Sequence, residues 1–182
     1  MDKLKIFKIS PKCYSQKGFD ERGCYGCNCT DSCCKYGADF DKEAYELVLQ
    51  NKDLIEPLLN QPIQKCFGKR TSGDKEYLGG NSIRCLEGET GFCIFHKKTG
   101  KGCILYELVT SKDINRRIIP SICRLFPLSW KKGELKVYDE EKYERIPRKC
   151  NCKEVENITT KNIFETQKQE IEDIFEFDES LN

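Results

Sequence analysis

The sequence has one histidine, no block of like charge and no long apolar run, and each shortage removes a class of function. With His96 the only imidazole, any Cys–His catalytic dyad would have to be built on that residue. His96 lies in a Lys-rich turn and reads as a solvated loop residue rather than a ligand. Basic residues number 31 against 30 acids, so the net charge is close to zero. No basic run or basic-aromatic stripe offers an electrostatic footprint for nucleic acid. The pairs Lys97-Lys98, Arg116-Arg117 and Lys131-Lys132 read as solvated faces. No stretch approaches the roughly 18–20 apolar residues that span a bilayer. The opening Met1-Asp-Lys-Leu-Lys-Ile-Phe-Lys-Ile9 has no continuous apolar segment and no small-residue cleavage site, so no signal peptide is expected. The expected compartment is the cytoplasm.

The apolar share, 38%, is low for a globular chain, and the charged share, 34%, is high. A chain of 182 residues can bury a core, but here a modest one. Metal cross-links would help, because ligand binding free energy becomes folding free energy.

Cysteine is what the chain has in abundance: thirteen residues, most of them in clusters. The first cluster reads Cys24-Tyr-Gly-Cys27-Asn-Cys29-Thr-Asp-Ser-Cys33-Cys34. Cys85, Cys93, Cys103 and Cys123 form a dispersed second set, and Cys150-Asn-Cys152 follows. Thiols stay reduced in the cytosol, where such clusters mean metal or redox chemistry, and an odd count fits poorly with a fully paired disulfide framework. Soft thiolates select zinc, cuprous copper or iron–sulfur clusters over magnesium or calcium. Cys24-x-x-Cys27 is a two-ligand knuckle, and with Cys29, Cys33 and Cys34 it marks a thiol-based site. Neighbouring residues of an extended chain point in opposite directions, so Cys33 and Cys34 can both bind one ion only if the backbone turns; otherwise they serve two metals. For Cys93, Cys103 and Cys123 taken singly, core packing and ligation are equally good readings. Cys13 and Cys66 read as small fillers or surface thiols. Cys85, Cys150 and Cys152 are candidates for a second metal site.

Coarse elements can be placed around these motifs. A short strand over residues 4–9 should end at Pro11, and a helix should start at Asp41 as N-cap. Ala44, Val48, Ile55, Leu58 and Leu59 would form its buried face. Pro57 should kink that helix or open a second one, which Asp53 could cap. Residues 60–82 read as irregular or hairpin, 91–109 as two short apolar segments joined by a turn, and Leu128–Tyr138 as a hairpin turning at Gly133. Thr160 should cap a last helix with Ile163, Gln167, Ile171 and Ile174 on one stripe. Its acidic end, Glu170 to Glu179, should fray against the helix dipole. The expected fold is a small, loop-rich, metal-stapled α+β domain over residues 1–152, with a few helices and short β-hairpins. Residues 153–182 would add a C-terminal helix and acidic tail.

Cys29-Thr-Asp-Ser-Cys33-Cys34 followed by Asp41-Lys-Glu-Ala resembles the opening of the YkgJ-type cysteine-cluster proteins, described as zinc- or iron-chelating domains. Their second half is similar to Cys93-Ile-Phe, Gly102-Cys103-Ile-Leu-Tyr106 and Pro120-Ser-Ile-Cys123-Arg124-Leu-Phe126-Pro127. The resemblance covers roughly residues 24–130. It implies a metal-binding core of Cys29, Cys33, Cys34, Cys93, Cys103 and Cys123, with Cys24 or Cys27 as a further ligand and zinc or an iron–sulfur cluster as the cofactor. The Cys103–Cys123 gap is longer than the family's, which implies an insertion around residues 110–117, and Cys85, Cys150 and Cys152 are extra. Arg124 would either offset thiolate charge beside the site or form a salt bridge.

The same domain occurs in flagellin lysine N-methylases, which would imply S-adenosylmethionine dependence. No Gly-x-Gly-x-x-Gly follows a strand, however, and no Cys-x3-Cys-x2-Cys run is present. The expectation is a cytoplasmic metal-binding protein. The alternatives are an iron–sulfur-dependent protein-modifying enzyme, or a metal-stabilised module that docks a protein partner through its C-terminal helix. Whether the chain is an enzyme stays open at this point, as no acid, base and nucleophile set is recognisable.

Overall fold

The computed structural model describes residues 3–20, 30–140 and 158–181. The architecture is small, loop-rich α+β. Among the described residues, no helix is long and apolar enough to cross a membrane. The chain forms two compact units, residues 1–33 with 124–182 and residues 34–123, so the expected 1–152 domain contributes to both.

The first unit is built from short strands that find partners far away in sequence. Strands β1 (Leu4–Ile6) and β2 (Lys8–Ile9) are separated at Phe7, whose N–H, like that of Lys8, donates to the Gly133 carbonyl. Helix α1 (Lys12–Ser15) and strand β3 (Lys17–Phe19) follow. Strands β7 (Leu128–Lys131) and β8 (Glu134–Val137) form the expected hairpin, and β2 joins it in the order β2-β8-β7. Lys132 and Gly133, the two loop residues, both have positive φ (49° and 73°), as a type I′ turn requires.

The C-terminal segment departs from expectation. Residues Ile158–Asn162 form a strand, β9, antiparallel to β3, and Asn162 rather than Thr160 caps the helix that follows. The Asn162 side chain accepts from the Glu165 N–H at 2.9 Å, and Glu165 reciprocates at 3.1 Å. This capping box satisfies two amides, which a lone Thr160 hydroxyl would not. Helices α6 (Ile163–Thr166) and α7 (Lys168–Ile174) bury Ile163, Ile171 and Ile174, while the Gln167 amide donates to the Phe126 carbonyl. The end does not simply fray: Phe175–Phe177 is a strand, β10, parallel to β1, and Phe175 packs edge-on to Trp130.

The second unit has an apolar core of its own. Strands β4 (Asp39–Asp41), β5 (Phe67–Ser72) and β6 (Asn81–Cys85) form an antiparallel sheet in the order β4-β6-β5. Helix α2 (Lys42–Gln50) begins at the predicted cap, where Asp41 accepts from the Ala44 N–H at 3.1 Å. The other Asp41 oxygen accepts from the Ser121 N–H at 2.9 Å, at the first residue of helix α5 (Ser121–Leu125). One buried carboxylate thus satisfies amides at two helix starts. Helix α3 (Lys52–Leu59) contains Pro57, and the break lies at Asn51, with Asp53 inside the first turn. Pro57 thus lies inside the second helix rather than opening it, and has no N–H to donate to the Asp53 carbonyl. Ala44, Val48, Ile55 and Leu59 are buried as expected, but Leu58 is 49% exposed. Phe40, Phe67 and Phe95 close the core with ring centroids 5.1–5.6 Å apart.

The segment expected as two apolar pieces joined by a turn is half helical. Residues Ile104–Lys112 form helix α4, burying Ile104, Leu105 and Leu108. An apolar run this short does not tell strand from helix by period, and tertiary packing decides.

Candidate metal centre

Strand β6 delivers Cys85 to the edge of the second core, and the chain then folds back on itself. Gly88 N–H donates to Phe92 O (2.7 Å), Ile94 N–H to Leu86 O (2.9 Å), and Glu87 lies opposite Cys93. Residues two apart on a strand face the same way. Cys85 therefore shares a face with Glu87, and so with Cys93 across the turn. Their sulfurs lie 3.4 Å apart. The link was present in the sequence as a turn signal, Gly88-Glu-Thr-Gly91, between two cysteines. It shows Cys85 beside Cys93, a member of the primary set, while Cys150 and Cys152 lie outside the described residues.

A strap of five residues, Cys34 to Ala38, is tied to both cysteines. The Cys93 N–H donates to Cys34 O at 2.6 Å, and Lys35 bridges to Phe92. At the far end, the Cys85 N–H donates to Ala38 O at 2.9 Å, and the Ala38 N–H returns a bond to Cys85 Sγ at 3.0 Å. Tyr36 and Gly37 both take left-handed conformations (φ 65° and 72°), which turns the strap back on itself. Arg84 fixes the outer side, bonding Asp39 at 2.8 Å and the Tyr36 carbonyl.

The electrostatics shift the two thiols in opposite directions. The hydrogen bond from Cys93 holds the Cys85 thiol below its ordinary range against burial, with the Ala38 N–H and the Arg84 charge helping. The same hydrogen bond to Cys85, together with burial and the charges of Cys85 and Cys103, pushes Cys93 well up. Of the two, Cys85 is thus the more readily ionised, and Cys103 is close enough to Cys93 to be felt. Cys66, fully buried, is raised by burial and by the charge of Cys85, against a hydrogen bond from Gln61 Nε2 at 3.3 Å.

The other predicted ligands are placed as follows. Cys33 and Cys34 lie, half-buried, on a single 3-10 turn, Ser32–Cys34, so the backbone makes the turn that joint ligation requires. Cys103, half-buried, precedes α4 and bridges to His96. Cys123, half-buried, sits on α5 and packs against the second core. Cys24, Cys27 and Cys29 lie outside the described residues. His96 is stacked on Phe92 with centroids 4.5 Å apart, as a turn residue held by its ring. Arg124 makes ion pairs with Glu170 and, at 2.8 Å, with Asp173.

Two thiolates on one tetrahedral ion, each at about 2.3 Å, have sulfurs about 3.8 Å apart. The Cys85–Cys93 spacing of 3.4 Å falls close to this, and the donor type suits zinc or iron. Among the described residues, no three His, Cys, Asp or Glu side chains converge as a complete metal-holding group. Cys85 and Cys93 are thus a close pair of thiols, not a complete metal-holding group. The eight described cysteines form no disulfide. No family model, no curated protein and no solved structure matches this chain.

Proposed function

We propose that this chain is a cytoplasmic metal-binding protein that holds zinc or an iron–sulfur cluster through cysteine thiolates, in the manner its YkgJ-type motifs suggest. The observation that carries the reading is the 3.4 Å approach of Cys85 and Cys93 at the edge of a packed core. Thiols that serve only as filler gain nothing from such proximity, since each takes its place by volume. Here the backbone brings two sulfurs to nearly the spacing of a shared ion. Cys85 and Cys93 would form the nucleus, joined by Cys34, whose carbonyl accepts from the Cys93 N–H, and by Cys103, whose charge reaches Cys93. Cys24, Cys27, Cys29, Cys33 and Cys123 remain proposed ligands on the sequence resemblance alone. Zinc in such a site would act as a staple, and an iron–sulfur cluster would add electron transfer.

The test is metal analysis and visible absorption of protein purified without oxygen. Brown protein with iron and acid-labile sulfide assigns a cluster; colourless protein with one or two zinc ions per chain assigns a staple. Cys85→Ser and Cys93→Ser should each lower metal per chain by half or more, while Cys13→Ser leaves it unchanged. Protein that binds neither metal, or loses none in the two variants, ends the proposal.

A further inference from the structure

The strap residues Gly37 and Ala38 carry no chemistry of their own, yet their geometry is aimed at one sulfur. The Ala38 N–H points at Cys85 Sγ from 3.0 Å, while the Ala38 carbonyl accepts from the Cys85 N–H. Residue 38 therefore grips Cys85 from both sides, and the left-handed turn at residue 37 leads the chain into that grip. Gly37 has φ +72°, where L side chains are strained. A Cβ added there would lie 2.5 Å from Cys85 O and 3.2 Å from Cys85 Sγ. The absent side chain is thus the space in which Cys85 sits.

We infer that Gly37 and Ala38 are positioning residues for the Cys85 thiolate: the turn at Gly37 aims the Ala38 N–H at the sulfur, fixing its direction and its donor strength toward a soft metal ion. The inference rests on the metal reading above. An amide donating to a ligating sulfur withdraws electron density from it, and such hydrogen bonds tune metal sites. They also orient the ligand before the metal arrives, which is why their loss typically costs tenfold or more in affinity.

The test compares two glycines of the same unit. Gly73 has nearly the same φ, +71°, but an added Cβ meets nothing within 4 Å. Both substitutions to alanine impose the same backbone strain, and only Gly37→Ala disturbs Cys85. With cobalt(II) in the site, Gly37→Ala should move the sulfur-to-cobalt charge-transfer band to longer wavelength and weaken affinity about tenfold. Gly73→Ala should do neither. Equal effects in both variants, or none in either, overturn the inference. The unaltered chain loaded with cadmium-113 gives a reading that needs no variant. A scalar coupling between the Ala38 amide proton and the metal through Cys85 sulfur is expected, and its absence with Cys85 bound overturns the inference. A chain that takes up neither ion defeats the metal reading instead. The positioning role is then judged on the metal-free protein by hydrogen exchange at the Ala38 amide. Exchange should quicken at least tenfold in Cys85→Ala, and equal rates overturn the role.

Discussion

The first unit buries Cys13 with its sulfur donating to the Leu135 carbonyl, whereas the second brings Cys85 and Cys93 within 3.4 Å of each other. Both cysteines of the comparison are almost wholly buried, Cys13 at 0% and Cys85 at 1% exposure. Burial alone therefore says little about what a thiol does. Cys13 faces Leu135 O, with Glu140 and Glu134 raising it further, so it stays protonated and inert. Cys85 faces a second thiol, an amide proton and an arginine, a setting that favours thiolate. The lesson is that the company of a buried sulfur, set by backbone geometry, decides how readily it ionises.

The two units also differ in how each holds a buried charge, and removing those charges sharpens the contrast. In the first, Arg124 is 5% exposed and serves Glu170 and Asp173. Arg124→Ala removes a buried cation that pairs with both carboxylates, and should lower stability by about 3–5 kcal/mol in chemical denaturation. If Arg124 is an ion-pair residue only, metal per folded chain should not change. A fall in metal content would show that it also serves the thiolates.

In the second unit, Asp41 is 3% exposed and accepts from Ala44 and Ser121. Asp41→Ala strips one cap and leaves two buried amides unpaired, at a cost of about 2–3 kcal/mol. Asp41→Asn, which keeps an acceptor oxygen, should recover part of it. A loss below about 0.5 kcal/mol for the alanine variant would show that these amides find other partners.

Cys13 provides a comparison by pH. Its thiol is pushed up to about 12, first by burial and then by Glu140. A raised folded pKa means the folded state holds the proton where the unfolded chain releases it. The associated stability is present below about pH 9 and is lost as pH rises from 9 towards 12. Denaturation midpoints should fall over that window, and the fall should be shallower in Cys13→Ala. Identical slopes would place Cys13 in contact with solvent.

The smallest effect is expected at Leu58, which is 49% exposed on α3 despite its helical spacing with buried neighbours. Leu58→Lys should change stability by less than about 0.5 kcal/mol, whereas the buried Leu59→Ala should cost about 2–5 kcal/mol. Truncation at residue 157 is not a mild test of partner docking. It removes β9, α6, α7 and β10, and with them the partners of β1, β3 and Arg124.

Local rules were legible where one residue type decides the outcome. The Asp41 cap and the Gly133 turn are each specified by short-range chemistry, and each is found, while the stretch read as irregular or hairpin over 60–82 holds β5 and the start of β6, its antiparallel partner. The C-terminal segment was misread because its strands, β9 and β10, pair with β3 and β1, more than a hundred residues away. Strand propensity carries no address for its partner, and the helical stripe Ile163, Ile171 and Ile174 drew attention from the flanking residues. The Asp53 cap and the Leu58 contact failed for a related reason: a break at Asn51 resets the phase of the helical pattern.

By itself the sequence determined the chemistry at hand: thirteen thiols, one imidazole and a charge balance near zero. Those follow from composition, and they direct the reading towards soft metals. It also determined which residues could turn the chain, because glycine, asparagine and proline act through their own backbones. Only the tertiary structure decided which thiols meet. Cys85 and Cys93 are joined by a turn that opposes Glu87 to Cys93, and the strap over them depends on a glycine whose missing Cβ leaves room for a sulfur. Such pairings depend on distances between segments, which composition and spacing along the chain do not encode.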